Sequence, residues 1–451
     1  MTQWTHNDPA LTKEVEAFVA RVLRKTGIPA ISLEVYADGK HARVCAGRLS
    51  AADSAPMLPE ARFRIGSVAK ALVSIVALEL ADTGGLNLEA PLCAYLPELA
   101  ATSKGREIRV RHLLSHTSGY QPPDLRADSL DAGSSWPEFL ALFAAAPMLF
   151  RPGSVFNYHD FDHFILDQLL TRLQQRSTLE LARSMIFGPL RLEADPLESG
   201  GPQVTGHEWD AMSRLFRPQH PASGAPVQSL SDVSLSVPDL TRLAVALLGG
   251  AGDQVLDPLV TLLARTQVVE LPSCVQQVWQ QQMPASYGYG FAHYANGSLG
   301  HPGSGPGQCC ALRFHPERRI AIAVGLNARV LHVRDGIVDS VLHLLGKAGE
   351  PAQPPMPPPG TTFRANELTG SYVGARNGPC LSVREEAGGP VLTVTPGSPG
   401  ARREHEFLLD VQRQMVLRHG GSTARVPVCF FREPETGTPC LMLGWRAYKR
   451  V

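Results

Sequence analysis

One serine and one lysine are spaced as a nucleophile and its base would be. Ser67 follows Gly66 at the start of a long apolar helix pattern, and Lys70 stands three residues later. This spacing places both side chains on one helix face, about one turn apart. A serine hydroxyl needs an adjacent base, and a lysine can serve where burial lowers its pKa. The pair therefore indicates acyl transfer, but a capping serine beside a solvated lysine would give the same pattern.

Four segments together resemble one known family. Ser67-Val-Ala-Lys70 resembles the SxxK motif of the serine β-lactamase and penicillin-binding-protein superfamily. Three further segments resemble motifs of that family in the expected order: RHLLSHTSG at 111–119, RPGSVFNYHD at 151–160 and LGHPGSGPG at 299–307. The HxG form of the last motif is typical of the esterase, D-aminopeptidase and carboxypeptidase branches. On these matches, which cover about residues 10–346, the chain is identified as a member of the superfamily, similar to class C β-lactamases.

The resemblance assigns a role to each matching position. It implies that Ser67 is the acylated nucleophile and that Lys70 is its base or proton shuttle. It implies that Tyr158 exchanges a proton with the leaving or attacking group, and that His301 orients this proton network from a strand edge. The backbone N–H groups of Ser67 and Ser304 would form the oxyanion hole, where a developing negative charge is stabilised.

Two further positions are expected to contact the substrate, and one departs from the family pattern. The resemblance places Gly303 and Asp160 at the substrate, but the family usually has asparagine where this chain has Asp160. A carboxylate there favours a protonated Lys70 and removes an amide donor for a substrate carbonyl. This departure argues against recognition of β-lactams or ordinary DD-peptides more than against acyl transfer.

Two histidine pairs allow an alternative interpretation, in which they bind a metal ion. His159 and His163 are four residues apart and flanked by carboxylates, a spacing that can hold a metal ion. The pair overlaps the tyrosine motif, however, and the sequence shows no third ligand. His112 and His116 have the same spacing, but the family segment explains them as structural. We therefore expect no metal and no cofactor.

Charge and composition exclude several classes of protein. The 451 residues carry 42 basic and 42 acidic side chains, so the formal net charge is zero. Nucleic-acid binders usually carry a basic surplus, and disordered chains have low hydrophobicity with high net charge. Here 44% of residues are hydrophobic and 19% are charged. No apolar run is long enough to cross a membrane. We expect a globular protein without nucleic-acid or membrane partners.

The pattern of elements predicts an α+β fold in two domains. Strand-type segments lie at both ends of the first 350 residues, with helical sequence between them, which favours an antiparallel sheet flanked by helices and a helical subdomain. The proline-rich run 351–360 is typical of an extended linker. Residues 361–451 contain short β-favouring segments and predict a small all-β domain, which resembles the lipocalin-like appendages of some family members. The strand-type segments are Ile31–Tyr36, His41–Cys45, Cys310–Phe314, Ile320–Val324, Leu381–Arg384, Val391–Thr395, Gln414–Leu417, Val426–Phe431 and Cys440–Trp445.

These observations lead to one favoured function and two alternatives. The resemblance favours a penicillin-binding-protein-type thioesterase that acts on peptidyl thioesters or peptides containing D-amino acids, with release or macrocyclisation of the peptide. A carrier protein would present such a substrate. The alternatives are a D-aminopeptidase or small-ester esterase of the same family, and a catalytically impaired binding protein with the same fold, which Asp160 would support. The N-terminal residues show no export signal and the eight cysteines no paired spacing, so we expect mostly reduced thiols and a cytoplasmic location. The oligomeric state stays open.

Overall fold

The computed structural model describes most of the chain and divides it into two compact units. Unit 1 comprises residues 1–86, 170–266 and 289–350, and unit 2 comprises residues 87–169, 267–288 and 351–451. The described residues are 8–52, 54–121, 136–193, 195–196, 202–210, 212–219, 233–249, 256–272, 283–345, 363, 365–374, 380–386, 389–395, 405–409, 414–417 and 425–451.

The helices of the described chain are mostly short. In chain order they are α1 (Pro9–Thr26), α2 (Ala69–Asp82), α3 (Ser103–Glu107), α4 (Val110–Leu114), α5 (Trp136–Ala145), α6 (Asp160–Gln174), α7 (Thr178–Ala182), α8 (Gly188–Leu190), α9 (Val237–Ala246), α10 (Pro258–Ala264), α11 (Leu331–Leu344) and α12 (Ala365–Leu368). A 3₁₀ turn over Gly66–Val68 leads directly into α2.

The strands fall into a first group before residue 330 and a second group after residue 369. The first group is β1 (Ala30–Ala37), β2 (Lys40–Gly47), β3 (Arg62–Arg64), β4 (Asp195–Pro196), β5 (Gly206–Asp210), β6 (Leu215–Gln219), β7 (Val233–Ser236), β8 (Gln267–Glu270), β9 (Ser286–Gly288), β10 (Ala292–His293), β11 (Leu299–Gly305), β12 (Gln308–His315) and β13 (Ile320–Leu326). The second is β14 (Gly370–Val373), β15 (Cys380–Glu386), β16 (Gly389–Thr395), β17 (His405–Leu409), β18 (Gln414–Leu417), β19 (Arg425–Arg432), β20 (Pro439–Leu443) and β21 (Arg446–Arg450).

An antiparallel sheet forms the centre of unit 1, with strand order β2–β1–β13–β12–β11–β10. The β1–β2 hairpin turns at Asp38 and Gly39, whose φ angles of 50° and 83° suit a turn that follows the natural twist of the strands. In the register, Leu33 of β1 lies opposite Val44 of β2 and Val324 of β13. Apolar residues of α1 and α11 join these strands in one core, so helices cover the sheet.

Helix α2 is apolar on every side because it is a core element rather than a surface helix. Ten successive residues from Ala69 to Leu78 are buried, and only its last turn reaches half-buried positions. Such a helix gains its stability from burial on all faces. The 3₁₀ turn that carries Ser67 is therefore anchored to a rigid part of unit 1.

Eight strands close into an antiparallel barrel in unit 2. The order β14 to β21 follows the chain, and β21 pairs back with β14, which removes free sheet edges. The barrel core includes Tyr372, Leu392, Phe430 and Tyr448. Together with the sheet and helices of unit 1, this barrel confirms the predicted fold class. The predicted linker 351–360 lies outside the described residues, and the proposed boundary at residue 350 stays a prediction.

Most of the cysteines that the structure describes are free thiols. Cys45, Cys93, Cys309, Cys310 and Cys440 are free, in line with the prediction of mostly reduced thiols, whereas Cys429 is disulfide-bonded. Burial raises the pKa of Cys309 to about 11 and that of Cys310 to about 12, so neither is a reactive thiolate. Within the described ranges, no helix has the length and apolar character needed to span a membrane.

Candidate active site

Ser67 and Lys70 face each other at the start of α2. The Lys70 Nζ donates to the Ser67 Oγ over 3.4 Å. The lysine is only 8% exposed, and its neighbours Ala69 and Ala71 are buried. An uncharged lysine amine can accept the proton of a neighbouring hydroxyl. The geometry therefore places a nucleophile and a candidate base in direct contact.

Two glycines allow β11 to pass against the serine turn. Gly66 has a φ of +48°, and a Cβ there would overlap the backbone carbonyl of Ser304. A Cβ on Gly303 would overlap the carbonyl oxygen of Ile65. Only glycine permits both the left-handed backbone at residue 66 and this close approach. The backbone of Ser304 consequently lies beside the turn that carries Ser67, within unit 1.

Replacement of Gly66 by alanine is expected to disrupt this close approach. The Gly66→Ala side chain must push the strand backbone away, and the positive φ adds about 1–2 kcal/mol of strain. We expect a lower midpoint of denaturant unfolding and about a 10²-fold fall in ester turnover, since an ångström of misplacement has such an effect. Both quantities are measured on the purified variant.

Gly336 provides the matched control for this substitution. It lies in α11, and a Cβ there would meet nothing within 4 Å. Gly336→Ala should leave turnover unchanged and raise stability by about 0.5–1 kcal/mol, since it removes backbone freedom from a helix. Full activity in Gly66→Ala would show that the approach of β11 is not needed.

His301 lies in the same strand, two residues before Gly303. Its ring is 1% exposed, and its Nδ1 is 2.7 Å from the carbonyl oxygen of Pro302. A carbonyl oxygen only accepts, so Nδ1 carries the proton in this contact. This hydrogen bond fixes the orientation of the His301 ring, and its role in orienting a proton network stays a prediction.

Tyr158 lies in unit 2, where the C-terminal barrel holds its backbone. The Tyr158 N–H donates to the carbonyl of Trp445 over 2.9 Å, and the two rings meet edge to face with centroids 5.3 Å apart. The neighbouring Asn157 accepts the Ala447 N–H at 3.1 Å. Trp445 stands in the turn between β20 and β21. The barrel therefore supports the tyrosine motif directly, a role that the sequence did not reveal.

A buried polar cluster lies beneath Tyr158 in unit 2. The His116 ring is 4.4 Å from the Tyr158 ring, and its φ of +52° is unusual for a residue with a side chain. Asp162 approaches both His116 Nδ1 at 3.4 Å and His159 Nε2 at 3.5 Å. Complete burial raises the pKa of Asp162 well above its ordinary value, although the neighbouring Ser118 hydroxyl opposes this shift. The cluster packs against Tyr158, the candidate catalytic tyrosine.

The alternative reading of the histidines as metal ligands gains no support. In the part of the chain that the structure describes, no group of three His, Cys, Asp or Glu side chains could hold a metal ion. His159 turns toward Asp162 instead of joining His163 in an open ligand set. That His159 and His163 belong to the tyrosine motif rather than to a metal site stays a prediction.

Asp160 is the first residue of α6 and is exposed. Backbone N–H groups at a helix N-terminus favour a negative charge, so this position suits a carboxylate. Unit 1 thus brings together Ser67, Lys70, Gly303 and Ser304, while unit 2 carries Tyr158 and Asp160. Sequence patterns indicated all of these positions, but not Trp445 or the approach at Gly66.

Known proteins share both the sequence pattern and the fold. A family model described as Beta-lactamase matches residues 13–344. Penicillin-binding protein 4 of Amycolatopsis lactamdurans is 26% identical over 323 residues, which cover 67% of this chain and 82% of that protein. A beta-lactamase of Yersinia enterocolitica is 27% identical over 192 residues, covering 41% of this chain. That match spans only 48% of the Yersinia protein, about half its length.

A solved structure matches almost the whole fold. The crystal structure of SurE superposes with a TM-score of 0.76 at 24% identity, covering 98% of this chain and 99% of that chain. At this identity the likeness concerns the fold alone. The match of the family model to most of the chain decides the classification, and penicillin-binding-protein and class C β-lactamase structures have a similar fold. The chain belongs to the β-lactamase family, the superfamily of serine hydrolases that includes the penicillin-binding proteins.

Proposed function

We propose that the chain is a serine acyl-transfer enzyme that forms an acyl-enzyme on Ser67. The observation that supports this best is the contact between the buried Lys70 and the Ser67 hydroxyl. In the first step, the Lys70 amine accepts the hydroxyl proton while Oγ bonds to the substrate carbonyl carbon. The oxyanion then rests on the N–H groups of Ser67 and Ser304, and collapse expels the leaving group.

Tyr158 completes the first half of the reaction by donating a proton to the leaving group. The second half reverses these proton transfers, and Tyr158 recovers a proton from the water or amine that attacks the acyl-enzyme. Lys70 returns a proton to Ser67 when the ester bond breaks. His301 holds the proton network in one arrangement, since its Nδ1–H is fixed on a carbonyl. The acyl group ends on oxygen or nitrogen, which gives hydrolysis or aminolysis.

We propose peptidyl thioesters or peptides that contain D-amino acids as the substrate class, presented on a carrier protein. The structure of SurE, which has a similar fold, was also solved with D-Leu. Asp160 in place of the usual asparagine argues against ordinary DD-peptides as substrates. The closed C-terminal barrel is consistent with the appended domain expected of thioesterases of this type. Release or macrocyclisation of a peptide is therefore the activity that we favour.

A substrate panel tests this class directly. Purified protein is offered short p-nitrophenyl esters, D-amino-acid p-nitroanilides and peptidyl N-acetylcysteamine thioesters, each with L- and D-configured acyl residues. We expect the highest kcat/KM on a peptidyl thioester with a D-residue at the acyl end. Preference for the anilides would indicate a D-aminopeptidase, and preference for short esters an esterase. No turnover and no active-site labelling would support a binding protein.

Replacement of Tyr158 by phenylalanine tests its proposed proton transfer. The ring should keep its edge-to-face contact with Trp445, so the variant should fold normally. We expect kcat to fall about 10²-fold, within the range of general acid–base catalysis. Tyr372→Phe is the control, because that hydroxyl donates to Leu368 inside the barrel and its loss should affect only stability. Equal kcat in Tyr158→Phe and wild type would contradict the assignment.

A further inference from the structure

A buried arginine binds the peptide group that links Gly303 and Ser304. Arg334 lies in the first turn of α11, is 5% exposed, and donates from Nη1 to the Gly303 carbonyl over 3.0 Å. Two further donors bind the neighbouring carboxylate: Nε donates to one oxygen of Asp335 at 2.8 Å and Nη2 to the other at 2.9 Å. The guanidinium is therefore fixed in direction by three hydrogen bonds.

The Gly303 carbonyl and the Ser304 N–H belong to the same peptide unit. A peptide unit is planar, and in the trans form its C=O and N–H point in opposite directions. The described chain contains no cis peptide bond. An anchor on the carbonyl oxygen therefore fixes the direction of the Ser304 N–H. A positive donor at the oxygen also draws electron density from the amide, which makes its N–H a stronger donor.

The arginine keeps its charge in this buried place. Burial alone would lower the pKa of Arg334, but the Asp335 carboxylate more than compensates and raises it above the ordinary value. The guanidinium therefore stays positive over any working pH. The same segment of β11 is the one that passes against Gly66 and the Ser67 turn. The anchored peptide thus lies beside the nucleophile.

We propose that Arg334 is a positioning residue that orients and polarises the Ser304 N–H for the oxyanion hole. This assignment rests on the proposed function, because it requires an oxyanion on an acyl group attached to Ser67. A clamp that only joins α11 to β11 would explain the same hydrogen bond. The two roles differ in what they do to a substrate whose carbonyl oxygen is replaced by sulfur.

The test compares an oxygen ester with its thionoester. Sulfur accepts hydrogen bonds weakly, so a working oxyanion hole favours a short p-nitrophenyl ester over its thiono analogue. In Arg334→Met we expect kcat on the oxygen ester to fall about 10- to 100-fold, less than the 10²–10³ expected for complete loss of a donor. The thionoester should lose much less, so the oxygen-to-sulfur rate ratio should fall, with KM nearly constant.

Two further variants separate positioning from stability. Arg313→Met is the matched control, because Arg313 is also buried in unit 1 but binds Ser298 Oγ and stacks on Tyr294. It should lower the unfolding midpoint and leave the rate ratio unchanged. Arg334→Lys keeps a buried cation but loses the planar fork. It should give a smaller decrease of the ratio, and it provides the measurement if Arg334→Met does not fold.

The outcomes distinguish this inference from the proposed function. An unchanged ratio in both Arg334 variants, or a parallel loss on the two esters, overturns the positioning role while acylation of Ser67 stands. A wild-type protein that neither hydrolyses esters nor takes a fluorophosphonate label at Ser67 overturns the proposed function, and this inference with it. A ratio that falls at Arg334 but not at Arg313 supports both.

Discussion

Ser67→Ala is expected to abolish turnover, with a loss of at least about 10⁵-fold, and to remove labelling by a fluorophosphonate. The nucleophile forms the covalent intermediate, so no other group can replace it, and the residual rate comes only from binding and the oxyanion hole. The hydroxyl contacts Lys70 Nζ and lies in a turn that α2 anchors, so its removal should change stability little. Intact-mass measurement and peptide mapping of the adduct give the readout.

Ser184→Ala is the control for the labelling experiment. The Ser184 side chain is exposed, and its hydroxyl donates to the backbone carbonyl of Leu181. This variant should label and turn over like the wild type. An adduct on another residue, or persistent turnover in folded Ser67→Ala, would show that a different group is the nucleophile.

Local patterns predicted the elements that carry the nucleophile. Ser67 and Lys70 are neighbours along one helix, and helical spacing alone places them together. The apolar run after Ser67 became α2, and the turn pair Asp38-Gly39 became the β1–β2 hairpin. Each prediction depends on interactions between residues close in sequence, which is why it could be made without the fold.

Contacts between distant segments could not be predicted in this way. The overlap that requires Gly66 depends on the register of β11, more than 230 residues later. Arg334 gave no signal, because a single arginine in an apolar helix usually lies at the surface. Similarly, residues 87–169 share a unit with the C-terminal residues through contacts such as Asn157 with Ala447. A division of the sequence into consecutive domains cannot predict that such distant segments belong to one unit.

The C-terminal barrel also contains strands that the sequence patterns did not predict. Five of its strands were indicated by β-favouring runs, but β14, β17 and β21 were not. Strand β21 has cationic residues at Arg446, Lys449 and Arg450, which make a poor strand pattern. It forms because both neighbours, β14 and β20, offer ladder partners and because Ala447 and Tyr448 are buried. Strand formation depends on this context more than on intrinsic preference.

Lys70→Met is expected to lower the rate of Ser67 acylation about 10⁴-fold, the upper end of what a general base supplies. Methionine keeps the length and apolar stem of lysine but cannot accept the hydroxyl proton. Because the position is buried, loss of the amine should leave the unfolding midpoint unchanged or slightly higher. Stopped-flow measurement of the acylation burst separates this step from deacylation.

Lys104→Met is the control that distinguishes a catalytic lysine from a lysine that is only buried. Lys104 is 6% exposed, burial lowers its pKa, and its Nζ donates to the Ala144 carbonyl at 2.6 Å. Its loss leaves that carbonyl without a donor and should lower stability by about 1–3 kcal/mol, with acylation unchanged. If both lysine variants lost stability and acylated at the wild-type rate, burial alone would explain Lys70. If only Lys70→Met loses acylation rate and only Lys104→Met loses stability, Lys70 is the base. The contact with Ser67 Oγ is what distinguishes the Lys70 amine from the Lys104 amine.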